Sequence, residues 1–208
     1  MREIDAIDRE IVRLLQEETG ASQRSIAARV GLSQPSVSAR IARLRASGIL
    51  RSQVGVDPHA VGLHLAKIDV AADDPQALMD AFRGCPLLVN ALLTLGETNV
   101  SLFMVGESVG HLEALVDMHI RPLPGVHRLQ FQVVTRTSAP LVLPMRLDAA
   151  RCDRTVCGYQ CPTCRFYQDD LCTGCPATVH YRGRFWRETL SSGRLGNATT
   201  PGARTAPS

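Results

Sequence analysis

The sequence predicts an α+β protein in three folded parts. These are an N-terminal winged-helix or helix-turn-helix domain, a ferredoxin-like βαββαβ domain and a small, metal-bound, cysteine-rich module. Three observations predict them. Residues 1–56 hold three short apolar-striped segments separated by turn residues. Residues 57–148 alternate strand and helix patterns. Six of the seven cysteines crowd between Cys152 and Cys175.

With 208 residues, 45 % of them hydrophobic, the chain has material for more than one small domain. Charged residues make up 21 %, which argues against global disorder. No stretch approaches the ~18 consecutive apolar residues of a membrane span. The opening MREIDAIDRE lacks the apolar core of a secretory signal, so a cytoplasmic location is expected. Domain boundaries are expected at 1–56, 57–148 and 149–188. Residues 189–208, rich in Ser, Thr, Gly, Pro and Ala, read as a disordered tail. Charge follows the same division. The first part has nine arginines against six acids, the second six bases against ten acids, and the third eight arginines against four acids.

In the first part, Ile7, Ile11, Leu14 and Leu15 form one helical stripe over residues 5–18, with Asp5 placed to cap it. A second helix starts near Ser22, turns Ile26, Ala27 and Val30 inward and stops at Gly31. Ser33 caps a third, with Pro35 in its first turn and Val37, Ile41 and Leu44 inward. Two short helices joined by Gly31-Leu32-Ser33 make a helix-turn-helix. From residue 21 to 56 there are six arginines and no acid. The outward face of the third helix shows Ser36, Arg40 and Arg43, with Ser33 and Gln34 at its N-terminus and Arg24 on the helix before it. Arginine reaches guanine or phosphate, glutamine pairs with adenine, and serine suits backbone oxygens, so these are the candidate contacts to double-stranded DNA.

The run IAARVGLSQPSVSARIARLRASGIL fills the pattern I-A-x-x-V-G-L-S-x-x-x-V-x-x-R-I-x-x-L-x-x-x-G-I. With IDAIDREIVRLLQEE before it and VDPHAVGL after it, the chain resembles the leucine-responsive, Lrp/AsnC (feast/famine) transcription regulators from about residue 3 to about residue 146. The last sixty or so residues lie outside the resemblance.

In the second part, strands are expected at 63–71, 88–95, 100–105 and 127–137. Helices are expected from Asp74 and over 110–121. The order β-α-β-β-α-β is a split ferredoxin-like unit. The resemblance implies that this domain assembles a homodimer or higher homo-oligomer and binds a small effector, often an amino acid. It also implies a G-x-x-D pattern at the hairpin. This chain has Gly96, Thr98 and Asn99 there, with Asn in place of Asp. An aspartate pairs with a ligand's ammonium, whereas asparagine offers only a dipole. The expected effector is therefore not a free amino acid, or binds weakly at this site. The histidines at 59, 64, 111, 119 and 127 show no metal-like pairing, and no spacing supports a catalytic pair.

In the third part, Cys152, Cys157, Cys161, Cys164, Cys172 and Cys175 are candidate metal ligands. Two C-x-x-C pairs, 161/164 and 172/175, each grip one metal from a tight turn, and four thiolates complete a tetrahedral zinc site. The seven-residue spacer is short for a zinc ribbon. The run Cys157-x3-Cys161-x2-Cys164, with a further cysteine at 172 or 175, equally suits a [4Fe–4S] cluster, and the Cys-Pro dipeptides at 161–162 and 175–176 are compatible with it. Six of the nine aromatics lie in this segment, consistent with a module too small for a full core.

The expected function is sequence-specific DNA binding in transcription regulation, with no enzymatic role, modulated by a metal or redox change at the cysteines. The alternative is a decarboxylase of the haem-pathway type, or an iron–sulfur redox protein, on the same scaffold.

Overall fold

The computed structural model describes residues 4–18, 20–147, 151–155 and 158–187. The chain divides into two compact units, one up to Gln53 and one from Val54 onward.

The first unit is helical. Helix α1 spans Ala6–Glu17, α2 Gln23–Val30 and α3 Gln34–Ala46. Each starts at a side-chain cap. Asp5 accepts from the Asp8 amide, Ser22 from the Ser25 amide and Ser33 from the Ser36 amide. Gly31 ends α2 in the left-handed region, at φ +68°. Ile11, Leu14, Ile26, Ala27, Val37 and Ile41 make one buried core, with Ile7, Leu15 and Val30 packed on its edge.

The second unit is built on strands β1 (His64–Ala72), β2 (Leu88–Leu93), β3 (Val100–Gly106) and β4 (Val126–Val134). Helix α4 covers Pro75–Ala81 and α5 Val109–Leu115, which continues into a π-helical turn over Val116–Ile120. All strand pairs are antiparallel and the spatial order is β2-β3-β1-β4. That is the expected βαββαβ topology. Register places Ala66, Ile68 and Val70 beside Met104, Leu102 and Val100 on one face. With Leu78, Phe82, Leu112, Leu115, Val116 and Ile120 they form the main core. The other face carries Asp69, whose carboxylate accepts from Lys67 Nζ and Ser101 Oγ at 2.5 Å each.

The cysteine-rich segment is part of this same unit. It contains a 3-10 turn at Cys161–Thr163 and a short helix α6 at Arg165–Gln168. Its two most buried aromatics, Tyr181 and Trp186, sit in the same core as the sheet. The boundary expected at residue 148/149 therefore falls inside one packed body. The residues just before and after it, and the tail at 189–208, lie outside the described residues.

Candidate functional site

The helix-turn-helix presents the N-terminal half of α3 to solvent. Gln34 and Ser36 are exposed, and the Ser33 and Ser36 hydroxyls stand 2.8 Å apart. Arg24, on α2, is exposed and makes no ion pair among the described residues. Arg45, on the last turn of α3, is also exposed and makes none there.

Arg40 and Arg43 behave differently. Asp8 of α1 is 1 % exposed and accepts from Arg40 Nη1 at 2.9 Å and from Arg43 Nη2 at 2.5 Å. Arg40 Nη1 also reaches Asp5 at 2.5 Å. The Arg40 hydrogen bond, aided by the Asp8 amide, holds the Asp5 carboxyl below its ordinary value, and Arg40 is raised in return. These two arginines thus fasten α3 to α1. The stretch 21–56 contains no acid, but its counter-charges arrive from residues 5 and 8. Arg43, with its side chain 60 % exposed, still presents part of its guanidinium outward.

At the β2–β3 hairpin, the Asn99 side chain is committed to the sheet. Its Oδ1 accepts from the Ala72 amide at 2.9 Å and its Nδ2 donates to the Ala72 carbonyl at 2.7 Å. The Thr98 carbonyl accepts from Thr94 Oγ1. Gly96 is exposed in the turn. These contacts tie the hairpin to the end of β1.

The cysteine segment docks on the end of β3 and on α5. Glu107 Oε1 accepts from the Tyr181 hydroxyl at 2.7 Å, the Arg184 amide at 2.7 Å and the Phe185 amide at 2.5 Å. Burial pushes the Glu107 carboxyl up, but the Phe185, Tyr181 and Arg184 hydrogen bonds outweigh it and hold it below the ordinary range. Trp186 Nε1 donates to the Arg146 carbonyl at 2.8 Å. Gly110 of α5 allows a close approach, since a Cβ there would stand 2.8 Å from the Leu171 carbonyl oxygen.

This docking gathers the thiols. Cys161, Cys164, Cys172 and Cys175 line one cavity, together with Cys85, His111 and His119 of the α/β domain. Its apolar wall includes Leu87, Ala114 and Leu115. Each C-x-x-C pair is a tight turn. The Cys164 amide donates to the Cys161 carbonyl at 3.0 Å. In the second turn Gly174, at φ +84°, sends its amide to Cys172 Sγ at 3.4 Å. The cavity has a volume of about 30 Å³. Among the described residues, no three His, Cys, Asp or Glu side chains are gathered closely enough to hold a single ion.

His111 is 2 % exposed, and Thr173 Oγ1 lies 3.2 Å from its Nδ1. His119 packs edge-on against Tyr159 at 4.4 Å. Burial lowers both imidazoles to about 4, with Glu107 opposing it at His111. Burial likewise pushes the Cys172 thiol up to about 11. Cys152 is exposed and does not line the cavity. Its backbone pairs with Ala177 and Val179. Cys157 lies outside the described residues. In the sequence, Cys85, His111 and His119 stand apart from the six crowded cysteines. Only their fold places them against the cysteines, although His111 and His119 do share a helical face with Leu112 and Leu115.

Residues 4–51 match the family model described as winged helix-turn-helix DNA-binding. Over 138 residues the chain is 26 % identical to the HTH-type transcriptional regulator FL11 of Pyrococcus horikoshii, covering 64 % of this chain and 91 % of FL11. The leucine response regulatory protein LrpA of Mycobacterium tuberculosis is 25 % identical, with a TM-score of 0.56, over 65 % of this chain and 95 % of that one. E. coli AsnC, at 17 % identity and a TM-score of 0.57, covers 66 % of this chain and 96 % of its own, a likeness of fold. The first unit is thus a winged helix-turn-helix DNA-binding domain. Over about two-thirds of its length the chain is similar to the regulators FL11 and LrpA. The remaining third has no counterpart in these alignments.

Proposed function

We propose that this protein is a sequence-specific DNA-binding transcription regulator of the Lrp/AsnC type that works as a homo-oligomer. The observation that carries the reading is the capped α2–α3 helix-turn-helix, matched by the DNA-binding family model and followed by a βαββαβ domain, in a chain whose fold is similar to that of LrpA. FL11 and LrpA, to which the chain is similar, are both named as regulators.

In this reading Gln34 and Ser36 meet base edges and phosphates, and Arg24 supplies a phosphate contact. Arg43 contacts DNA only with the part of its guanidinium that Asp8 leaves exposed. Arg40 acts indirectly, by holding α3 at its angle to α1. A second protomer doubles the contact and sets the half-site spacing. The α/β domain assembles the oligomer and takes a small effector elsewhere than at Asn99, whose side chain is already bonded. The test is selection from a genomic fragment library by the full-length protein against scrambled competitor. Enrichment of a palindrome-like site, lost in Gln34→Ala, is expected. Equal retention of genomic and scrambled fragments overturns the reading.

A further inference from the structure

Two C-x-x-C turns face one void, and the third wall of that void belongs to the regulator fold itself. We propose that Cys161, Cys164, Cys172 and Cys175 ligate a [4Fe–4S] cluster in this cavity, with Cys85, His111 and His119 forming its inner wall.

Three observations favour a cluster over a single zinc ion. First, a tetrahedral zinc site has Zn–S bonds of about 2.3 Å and draws its sulfurs into a closed knot. Here the four cysteines line a cavity with a volume of about 30 Å³, more room than one ion needs. Second, the walls beyond the cysteines are mostly apolar, with Leu87, Ala114 and Leu115 among them. Such a wall shields a cluster from water and helps to set its potential. Third, the Gly174 amide already points at Cys172 Sγ. Hydrogen bonds to ligating sulfurs are a common means of tuning cluster potential.

The ligation balances simply. A [4Fe–4S]2+ core contains two ferric, two ferrous and four sulfide ions. Four thiols each release a proton to solvent as their sulfurs bind iron, which gives a complex of charge −2. No electron moves in that step. The cluster so placed touches α5 and its π-helical turn through His111 and His119. Its loss would remove one contact between the cysteine segment and the α/β domain, leaving Tyr181, Trp186 and Glu107 to hold the segment in place.

The experiment uses the full chain purified without oxygen. It is supplied with equal ferrous and ferric iron and with sulfide, then desalted and analysed for metal and acid-labile sulfide. Four irons and four sulfides per chain are expected, with a broad visible band that bleaches on reduction. Cys164→Ser and Cys172→Ser are expected to lose the band, and Cys152→Ser to keep it. A colourless chain with one zinc and no sulfide overturns the proposal, as does a chain that retains no metal. These readings come from the unsubstituted protein, so they hold even if a variant fails to fold. Nor do they depend on the regulator reading. A colourless chain that still selects a genomic site sinks the cluster alone, and a brown chain that selects none sinks the regulator alone.

Discussion

The three-helix unit and the cysteine-rich segment are both small, and they are stabilised in opposite ways. The three-helix unit closes its own core around Ile11, Leu14, Ile26, Val37 and Ile41, then adds the buried Asp8 with its two arginines. The cysteine segment places its main anchors, Tyr181 and Trp186, in the core of the neighbouring sheet. A self-contained unit tolerates changes outside itself. A segment that shares a core must move or melt together with it. Substitutions at the anchors of each should therefore separate the two kinds of stability.

The largest effect is expected at Trp186. It is 3 % exposed, packs edge-on against Phe185 and Tyr181, and donates to the Arg146 carbonyl. Trp186→Ala should cost about 3–5 kcal/mol. Denaturant unfolding should show the sheet and the cysteine segment losing that stability in one transition. Separate transitions, with the sheet unaffected, would break the comparison.

Acid should act at Glu107, the carboxylate of the α/β domain on which the same segment docks. The Glu107 pKa is depressed in the folded protein, so its contribution is present above the ordinary value of 4.5 and is lost as pH falls through the lowered one. Glu107→Gln keeps the shape and loses the charge-assisted acceptor, at a cost of about 2 kcal/mol near neutral pH. The difference between variant and parent should shrink on acidification. A difference that is constant with pH would remove Glu107 from the docking account.

In the three-helix unit the matching test is Asp8→Ala, which leaves Arg40 and Arg43 without their shared carboxylate. A loss of about 1–3 kcal/mol is expected, with DNA affinity falling in proportion to the unfolded fraction. Gln34→Ala should reverse that pattern, with weaker site binding and an unchanged melting temperature. If Arg40→Ala behaves like Gln34→Ala, Arg40 reads DNA directly and the tie to α1 is secondary.

These contrasts also explain what the sequence made legible. Caps and turns were readable because they are local. Asp5, Ser22, Ser33 and Gly31 sit within four residues of the groups they satisfy. The βαββαβ order was readable because apolar periodicity reports which face is buried. The roles of Arg40 and Arg43 were not, because their partners lie more than thirty residues away and a charge count over 21–56 cannot see them. The two C-x-x-C pairs declare themselves by spacing. Cys85, His111 and His119 do not, because only tertiary packing carries them to the cavity.

Asn99 offers a smaller test. Its amide both donates to and accepts from Ala72. Asn99→Asp keeps the acceptor but sets a carboxylate against the Ala72 carbonyl. A loss of about 1–2 kcal/mol is expected, with no amino-acid binding gained by calorimetry. Tight binding of an amino acid to the variant would show that this position is a ligand site after all.

The smallest effect belongs to Arg24, which is exposed and has no ion-pair partner among the described residues. Its removal takes nothing from the core of Ile26 and Ala27 beside it, so Arg24→Ala should leave the melting temperature unchanged. If the side chain neutralises one phosphate, affinity should fall about equally for specific and scrambled DNA. The slope of log affinity against log salt should flatten by about 0.9. An unchanged slope removes Arg24 from the interface. A loss confined to the selected site makes it a reader of bases and moves part of the specificity from α3 onto α2.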